Sequence, residues 1–372
     1  MKPWIKGMDI SSLPEVEACG GRFFCDGKPM DALQILQEHG MNLVRLRLWN
    51  DPRSPLGEPY GGGDTDFETV RGMARRLRAL ELPWLLDFHY SDCWADPGKQ
   101  IPPNAWQGLG PEELEGRVYE YTKSVLLALK EEDLLPAMAA PGNELTNGLL
   151  WPVGKEFPVT ARLVSAGIRA IRETAPDCEV MLHLDNGGNS GLYRRWFDAW
   201  FTEGGEDFDI IGLSYYPFWH GTLEDLEENM RMLAGRYGKR MIVAETSTAF
   251  TMEDYQAYEK LPAERRKGMA VKPELAAKVP FSMTPEGQAA FMERLMEVID
   301  RVPGGLGQGF IYWEPACLPV PGLEWATEAG IAYMREKGPG GNEWANQALF
   351  DYEGNALPAL KTIQDFRPGF HR

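Results

Sequence analysis

The chain has 372 residues, 44% of them hydrophobic, which is enough apolar material for one large core, and no window is long and apolar enough to read as a membrane span. A formal net charge of −17 argues against a nucleic-acid- or phosphate-binding surface, which requires clustered Lys and Arg, and suits a neutral ligand. Cys19, Cys25, Cys93, Cys178 and Cys317 form no C-x-x-C pair, so reduced thiols are expected rather than a disulfide framework or a zinc cluster.

The N-terminal segment, Met1 to Asp9, lacks the apolar stretch of a signal peptide, which predicts a cytoplasmic protein, or an extracellular one if a leader has been removed. Strand-like apolar runs follow at Met8–Ser11, Leu43–Leu48, Trp84–Phe88, Ala137–Gly142, Val180–Leu184, Ile210–Ser214, Met241–Glu245 and Gly309–Trp313. Most are continuous rather than alternating, as expected of a sheet covered by helices. Between them lie amphipathic helices. Val118, Tyr121, Val125 and Leu129 share one helical face, as do Leu223, Leu226, Met230, Leu233 and Tyr237, the latter ended by Gly238. Thr284 caps a third helix with Pro285 at its first position. About eight strand–helix repeats predict a parallel (β/α)8 TIM barrel, with residues 1–372 as a single catalytic domain. No Gly-rich fingerprint follows the first run, which weighs against a dinucleotide fold. Long loops at Asp51–Asp64, Ser91–Gly110, Thr246–Thr284 and Glu314–Ala345 all follow strand C-termini, the face on which barrels carry active sites. The charged stretch Tyr255–Lys278 reads as a surface excursion or lid.

Glu144, in Pro-Gly-Asn-Glu-Leu, and Glu245, in Val-Ala-Glu-Thr, each end a strand-like run. Two carboxylates from two strand ends are what acid-assisted cleavage of a glycosidic bond requires: one donates a proton to the leaving oxygen while the other attacks or activates water. The competing reading is a pair of structural ion pairs. Arg45 and Arg47 alternate onto the same side of the second run and need carboxylate partners there, so one of them is expected to hold Glu245 ionised. His89, Trp94 and Asp96 cluster after the third run, Tyr216 and Trp219 after the sixth, and Trp313 ends the eighth. Any one of these aromatic rings reads as core, but Trp94, Trp219 and Trp313 together at strand C-termini read as a sugar-stacking groove. A metal site built from His89, His183, His220 and Asp185 is the rival idea. The His-x-His pair typical of metal-dependent barrel hydrolases is absent, so no catalytic metal is expected.

These motifs resemble glycoside hydrolase family 53, the endo-β-1,4-galactanases. The likeness runs from Lys6–Ser11 through Val44–Trp49, the long Asp-Phe-His-Tyr-Ser-Asp-Cys-Trp-Ala-Asp-Pro-Gly-Lys-Gln run from Asp87 to Gln100, Gly142-Asn143-Glu144, Ser214–Gly221 and Tyr312–Pro315. The resemblance implies a retaining glycosidase with Glu144 as acid/base and Glu245 as nucleophile. It also implies that Asn143 bonds the hydroxyl beside the anomeric carbon, that Arg45 and Tyr216 orient Glu245, and that Trp313 stacks under the sugar. His89, Trp94 and Asp96 would line the groove. Ala140-Pro141 departs from the Gln and β-branched residue usual before Gly142, and a proline there removes a ladder donor, so altered geometry near Glu144 is expected. Some relatives bind calcium through an Asp- and His-rich loop with no counterpart here, so neither calcium nor any other cofactor is expected. The expected partner is a β-1,4-galactan or galacto-oligosaccharide, with no nucleic acid or membrane; the sequence carries no signal for oligomeric state. Two alternatives stand: a related glycosidase acting on mannan or glucan, and a carbohydrate-binding barrel with weak or no catalysis.

Overall fold

A computed structural model describes residues 3–255 and 269–369. In chain order the elements are β1 (Ile5–Asp9), α1 (Leu13–Ala18), β2 (Phe23–Cys25), β3 (Lys28–Met30), α2 (Ala32–Glu38), β4 (Leu43–Leu48), α3 (Phe67–Ala79), β5 (Trp84–Phe88), α4 (Pro111–Glu131), β6 (Met138–Pro141), α5 (Phe157–Thr174), β7 (Glu179–Leu184), α6 (Ser190–Thr202), β8 (Ile210–Ser214), α7 (Leu223–Tyr237), β9 (Arg240–Thr246), α8 (Pro273–Ala276), α9 (Pro285–Asp300), β10 (Gly307–Trp313), α10 (Glu328–Met334) and α11 (Pro358–Asp365). Eight parallel strands close into a barrel in the order β1-β10-β9-β8-β7-β6-β5-β4, with β4 returning to β1. All eight predicted runs fall on barrel strands, the first displaced, since β1 spans Ile5–Asp9 rather than Met8–Ser11. The sequence reading missed the small antiparallel hairpin of β2 and β3, whose strands are too short to show a period.

Helix ends follow the local chemistry. The Thr222 side chain accepts from the Asp225 N–H to start α7, and Gly238, at φ 63°, ends it. Thr284 accepts from the Gly287 N–H ahead of Pro285 in α9. The five cysteines are free thiols. Of the Tyr255–Lys278 excursion, residues 256–268 lie outside the described residues.

Alternation along the strands sorts the barrel interior into layers. Ile5, Leu43, Leu85, Met138, Met181, Ile210, Ile242 and Ile311 fill one end as an apolar cluster. Two residues further along, the inward positions turn polar: Arg45 on β4, Asp87 on β5 and His183 on β7, all at most 2% exposed. Charge can be buried there only because the groups pair with one another. On β9 the alternation is broken. Ile242 and Ala244 both face the apolar interior, yet the register with β8 shifts between Leu213 and Ser214, so that Ser214 lies beside Glu245. This bulge turns Glu245 inward, where strict alternation would have placed Thr246.

Candidate active site

Arg45 organises the floor of the site. Its Nη1 donates to Asp9 Oδ2 at 2.8 Å and pairs with Glu245 Oε1 at 2.8 Å, while Nη2 donates to Asp87 Oδ2 at 2.7 Å and Asn143 Oδ1 at 2.8 Å. Against the cost of burial, Arg45 holds the Asp87 carboxyl well below its ordinary range. His89 donates from Nε2 to Asp87 at 3.1 Å, and its Nδ1 accepts from Trp49 Nε1 at 3.1 Å; burial lowers the ring's tendency to protonate, against the pull of Asp87. Asn143 donates through Nδ2 to the Ala95 carbonyl at 2.8 Å, so its side-chain oxygen is turned to Arg45 and its rotamer is set from both ends.

The two glutamates meet opposite surroundings. Glu245 has Arg45 on Oε1 and accepts from the Tyr216 hydroxyl on Oε2 at 3.0 Å. Burial pushes its carboxyl up to about 7, against the pull of Arg45. Among the described residues no cation pairs with Glu144. Its Oε1 accepts from Ser214 Oγ at 2.6 Å, and burial first, then the charges of Glu245 and Asp185, push its carboxyl well above the ordinary range. Of the pair, Glu245 ionises first and Glu144 keeps its proton, a division of acid and base set by environment.

Glu144 itself sits at φ 47°, a left-handed conformation that costs a non-glycine residue about 1–3 kcal/mol. Gly142, two residues earlier, has φ 119°, and a Cβ there would meet Leu145 Cδ2 at 2.6 Å; only glycine makes this turn. The expected disturbance from Pro141 is absorbed. Pairing of β6 with β7 has already ended at Ala139 and Val180, Pro141 keeps its register with Phe88 of β5, and its ring packs where Gly167 of α5 lacks a side chain.

Above this floor lies a cleft of about 380 Å³, lined by both glutamates, Asn143, Tyr216, His89, Asp96, Trp94, Trp219 and Trp313. Four indoles form a continuous band: Trp94 to Trp313 at 5.9 Å between centroids, Trp313 to Trp344 at 4.8 Å, and Trp344 to Trp219 at 6.0 Å, the last pair stacked. Trp219 is 44% exposed, which is unusual for an indole with only a core role. Trp94 is braced from below, with the Arg47 guanidinium 4.3 Å from its ring centroid, and its Nε1 donates to the Trp325 carbonyl at 2.7 Å. Arg47 is in turn held by Glu314 Oε1, Ser12 Oγ and the Gly62 carbonyl. Asp96 is paired with Lys99, which reaches Glu336 at 2.8 Å across the cleft rim.

All the sequence-predicted site residues therefore converge. Arg45 lies beneath the floor, 2% exposed and outside the cleft lining, so it touches Glu245 rather than a ligand. The three histidines of the rival metal idea each have hydrogen-bond partners instead: Asp87 for His89, Ser214 Oγ for His183 at 2.8 Å, and the Ser214 carbonyl for His220 at 3.0 Å. Among the described residues no group of three metal-ligating side chains gathers. The sequence pointed to no role for Asp9, Ser214, Glu314 or Trp344, and to Asp185 only within the rival metal idea. Asp9 and Ser214 were legible as inward positions one strand over from Arg45 and Glu245, whereas Trp344, deep in the loop after β10, gave no signal.

The family model for Glycosyl hydrolase family 53 matches residues 5–363. The chain is 35% identical to an endo-β-1,4-galactanase of Bacillus subtilis (strain 168), over 98% of this chain and 86% of that one. It is 38% identical to an uncharacterised protein of Niallia circulans, over 97% and 93%. Among solved structures it superposes on the Ignisphaera aggregans GH53 catalytic domain with a TM-score of 0.88 at 36% identity, covering 97% of this chain and 95% of that one.

Proposed function

The chain belongs to glycosyl hydrolase family 53, and from that premise we propose that it is a single-domain enzyme cleaving β-1,4-galactosidic bonds in galactan or galacto-oligosaccharides with retention at the anomeric carbon. One observation carries the assignment of roles: the two cleft glutamates have opposed partners among the described residues, Arg45 and the Tyr216 hydroxyl for Glu245, and the Ser214 hydroxyl for Glu144. Glu245 is the nucleophile, since its oxygens are held as a carboxylate by a cation and a phenol. Glu144 is the acid that protonates the leaving oxygen and the base that then activates water. Once Glu245 is esterified its charge is gone, so Glu144 loses a neighbour that held its proton on and becomes free to act as a base.

The substrate class rests on the names of the relatives, the endo-β-1,4-galactanase above all, and on a cleft walled by indoles, which suit the apolar face of a pyranose. The deciding experiment is proton NMR of the purified protein acting on linear β-1,4-galactotetraose, read in the first minutes. Early β-anomer supports both substrate and retention. Early α-anomer keeps the substrate and removes the double displacement. No cleavage of galactan, with turnover of mannan or glucan oligosaccharides, moves the specificity within the fold; binding without turnover leaves a carbohydrate-binding barrel.

A further inference from the structure

His183, in sequence a candidate metal ligand, takes no part in the roles of the two glutamates. It lies on β7 facing the barrel interior, 1% exposed, with Nε2 at 2.8 Å from Ser214 Oγ. Ser214, fully buried at the end of β8, places the same oxygen 2.6 Å from Glu144 Oε1. A serine hydroxyl has one proton to give. Directed at Glu144, that proton leaves Ser214 Oγ as an acceptor towards His183, which must then carry its own proton on Nε2.

We propose that His183 and Ser214 form a directional relay, His183 Nε2–H to Ser214 Oγ–H to Glu144 Oε1, that positions the acid/base and confines its labile proton to Oε2. Because Oε1 already accepts the serine hydrogen, the oxygen left to hold and deliver the acid proton is the other one. The relay also persists after delivery, when the same Ser214 hydrogen bond meets a carboxylate and becomes charge-assisted. Ser214 and His183 are positioning residues: neither lines the cleft. This inference rests on Glu144 being the acid/base.

The surroundings keep the relay pointing one way. Burial holds the His183 ring neutral, its midpoint pushed down to about 3, and the neighbouring positive charge of Arg45 acts in the same direction while Asp87 opposes it. Around Glu144 the charged groups are Glu245 from β9, Asp185 after β7 and Asp96 from the loop after β5, all of which hold the proton on; Ser214 from β8 is the hydrogen bond that opposes them.

The test compares wild type with Ser214→Ala, Ser214→Thr, His183→Phe and His183→Gln, with melting temperature as the check on folding. Two readouts are used. The first is kcat/KM on aryl β-galactosides of graded leaving-group acidity. Loss of an aligned acid should cost roughly ten- to a hundredfold on poor leaving groups, the worth of one hydrogen bond to a charged group, and little on leaving groups that depart without a proton. Ser214→Thr, which keeps a hydroxyl, and His183→Gln, which keeps a donor, should each recover most of the loss. The second readout needs no turnover: 13C NMR titration of the Glu144 carboxyl, assigned by its disappearance in Glu144→Gln. Its midpoint should rise in Ser214→Ala and return towards wild type in Ser214→Thr. Equal loss on all leaving groups, or an unmoved Glu144 midpoint in Ser214→Ala, overturns the relay. If wild type cleaves no galactoside at all, the functional reading fails on that result, and the titration alone decides whether Ser214 sets the Glu144 proton.

Discussion

Arg45→Lys separates ionisation of the nucleophile from its mere placement. Arg45 Nη1 sits 2.8 Å from both Asp9 Oδ2 and Glu245 Oε1, and Nη2 serves Asp87 and Asn143. A lysine ammonium keeps the charge but concentrates it at one point, so it can neutralise the inner pair of aspartates without reaching Glu245. Losing one hydrogen bond to a charged group costs about 1.5–3 kcal/mol. At roughly 1.36 kcal/mol per unit, that raises the Glu245 carboxyl by about one to two units. The sign follows from which form Arg45 favours. It stabilises the carboxylate, so its loss favours the acid, and at a given pH less nucleophile is available. The acid limb of kcat/KM, expected in wild type near the Glu245 value of about 7, should therefore move to higher pH. Below the limb, activity should drop roughly ten- to a hundredfold; on the alkaline plateau the variant should approach wild type until Glu144 itself ionises. The assay is kcat/KM on galactotetraose across both limbs, with melting temperature confirming the fold. A uniform loss at every pH with an unmoved acid limb would refute the reasoning and leave Arg45 as a purely geometric support.

Three further outcomes are expected. Glu245→Ala should abolish hydrolysis while retaining oligosaccharide binding, and added azide should restore cleavage of an activated galactoside by occupying the vacated face, giving the inverted galactosyl azide by NMR; undiminished hydrolysis would remove Glu245 from the mechanism. Trp313→Ala should weaken oligosaccharide binding by about 1–3 kcal/mol by calorimetry, the scale of burying one large apolar side chain, and a loss confined to thermal stability would make Trp313 only a packing residue. Arg47→Met removes the cation beneath Trp94; a desolvated cation–π contact is worth up to about 2 kcal/mol, so KM should rise with kcat nearly unchanged, and a fall in kcat at constant KM would place Arg47 in the chemistry instead.

The sequence by itself determined the architecture. Continuous apolar runs alternating with one-sided helices admit little besides a covered parallel sheet, and eight repeats close it. The active face was equally legible, because the long Gly-, Pro- and Trp-rich loops all follow strand C-termini. So were the candidate glutamates, which end two of the runs, and the need of an inward arginine for carboxylate partners. Which partners was another matter. Arg45 is bound to Asp9, Asp87, Asn143 and Glu245, side chains from five different strand ends including its own, and only closure of the barrel brings them within one guanidinium's reach. Glu245 faces inward only through a register shift against β8 that no residue period announces. Trp344 reaches Trp313 and Trp219 through the path of a long loop rather than through any pattern of its own. The difference between the two glutamates is likewise tertiary. As sequence they are two strand-end carboxylates; folded, one faces a guanidinium and the other a hydroxyl and the carboxylates of Glu245, Asp185 and Asp96, and that asymmetry divides nucleophile from acid.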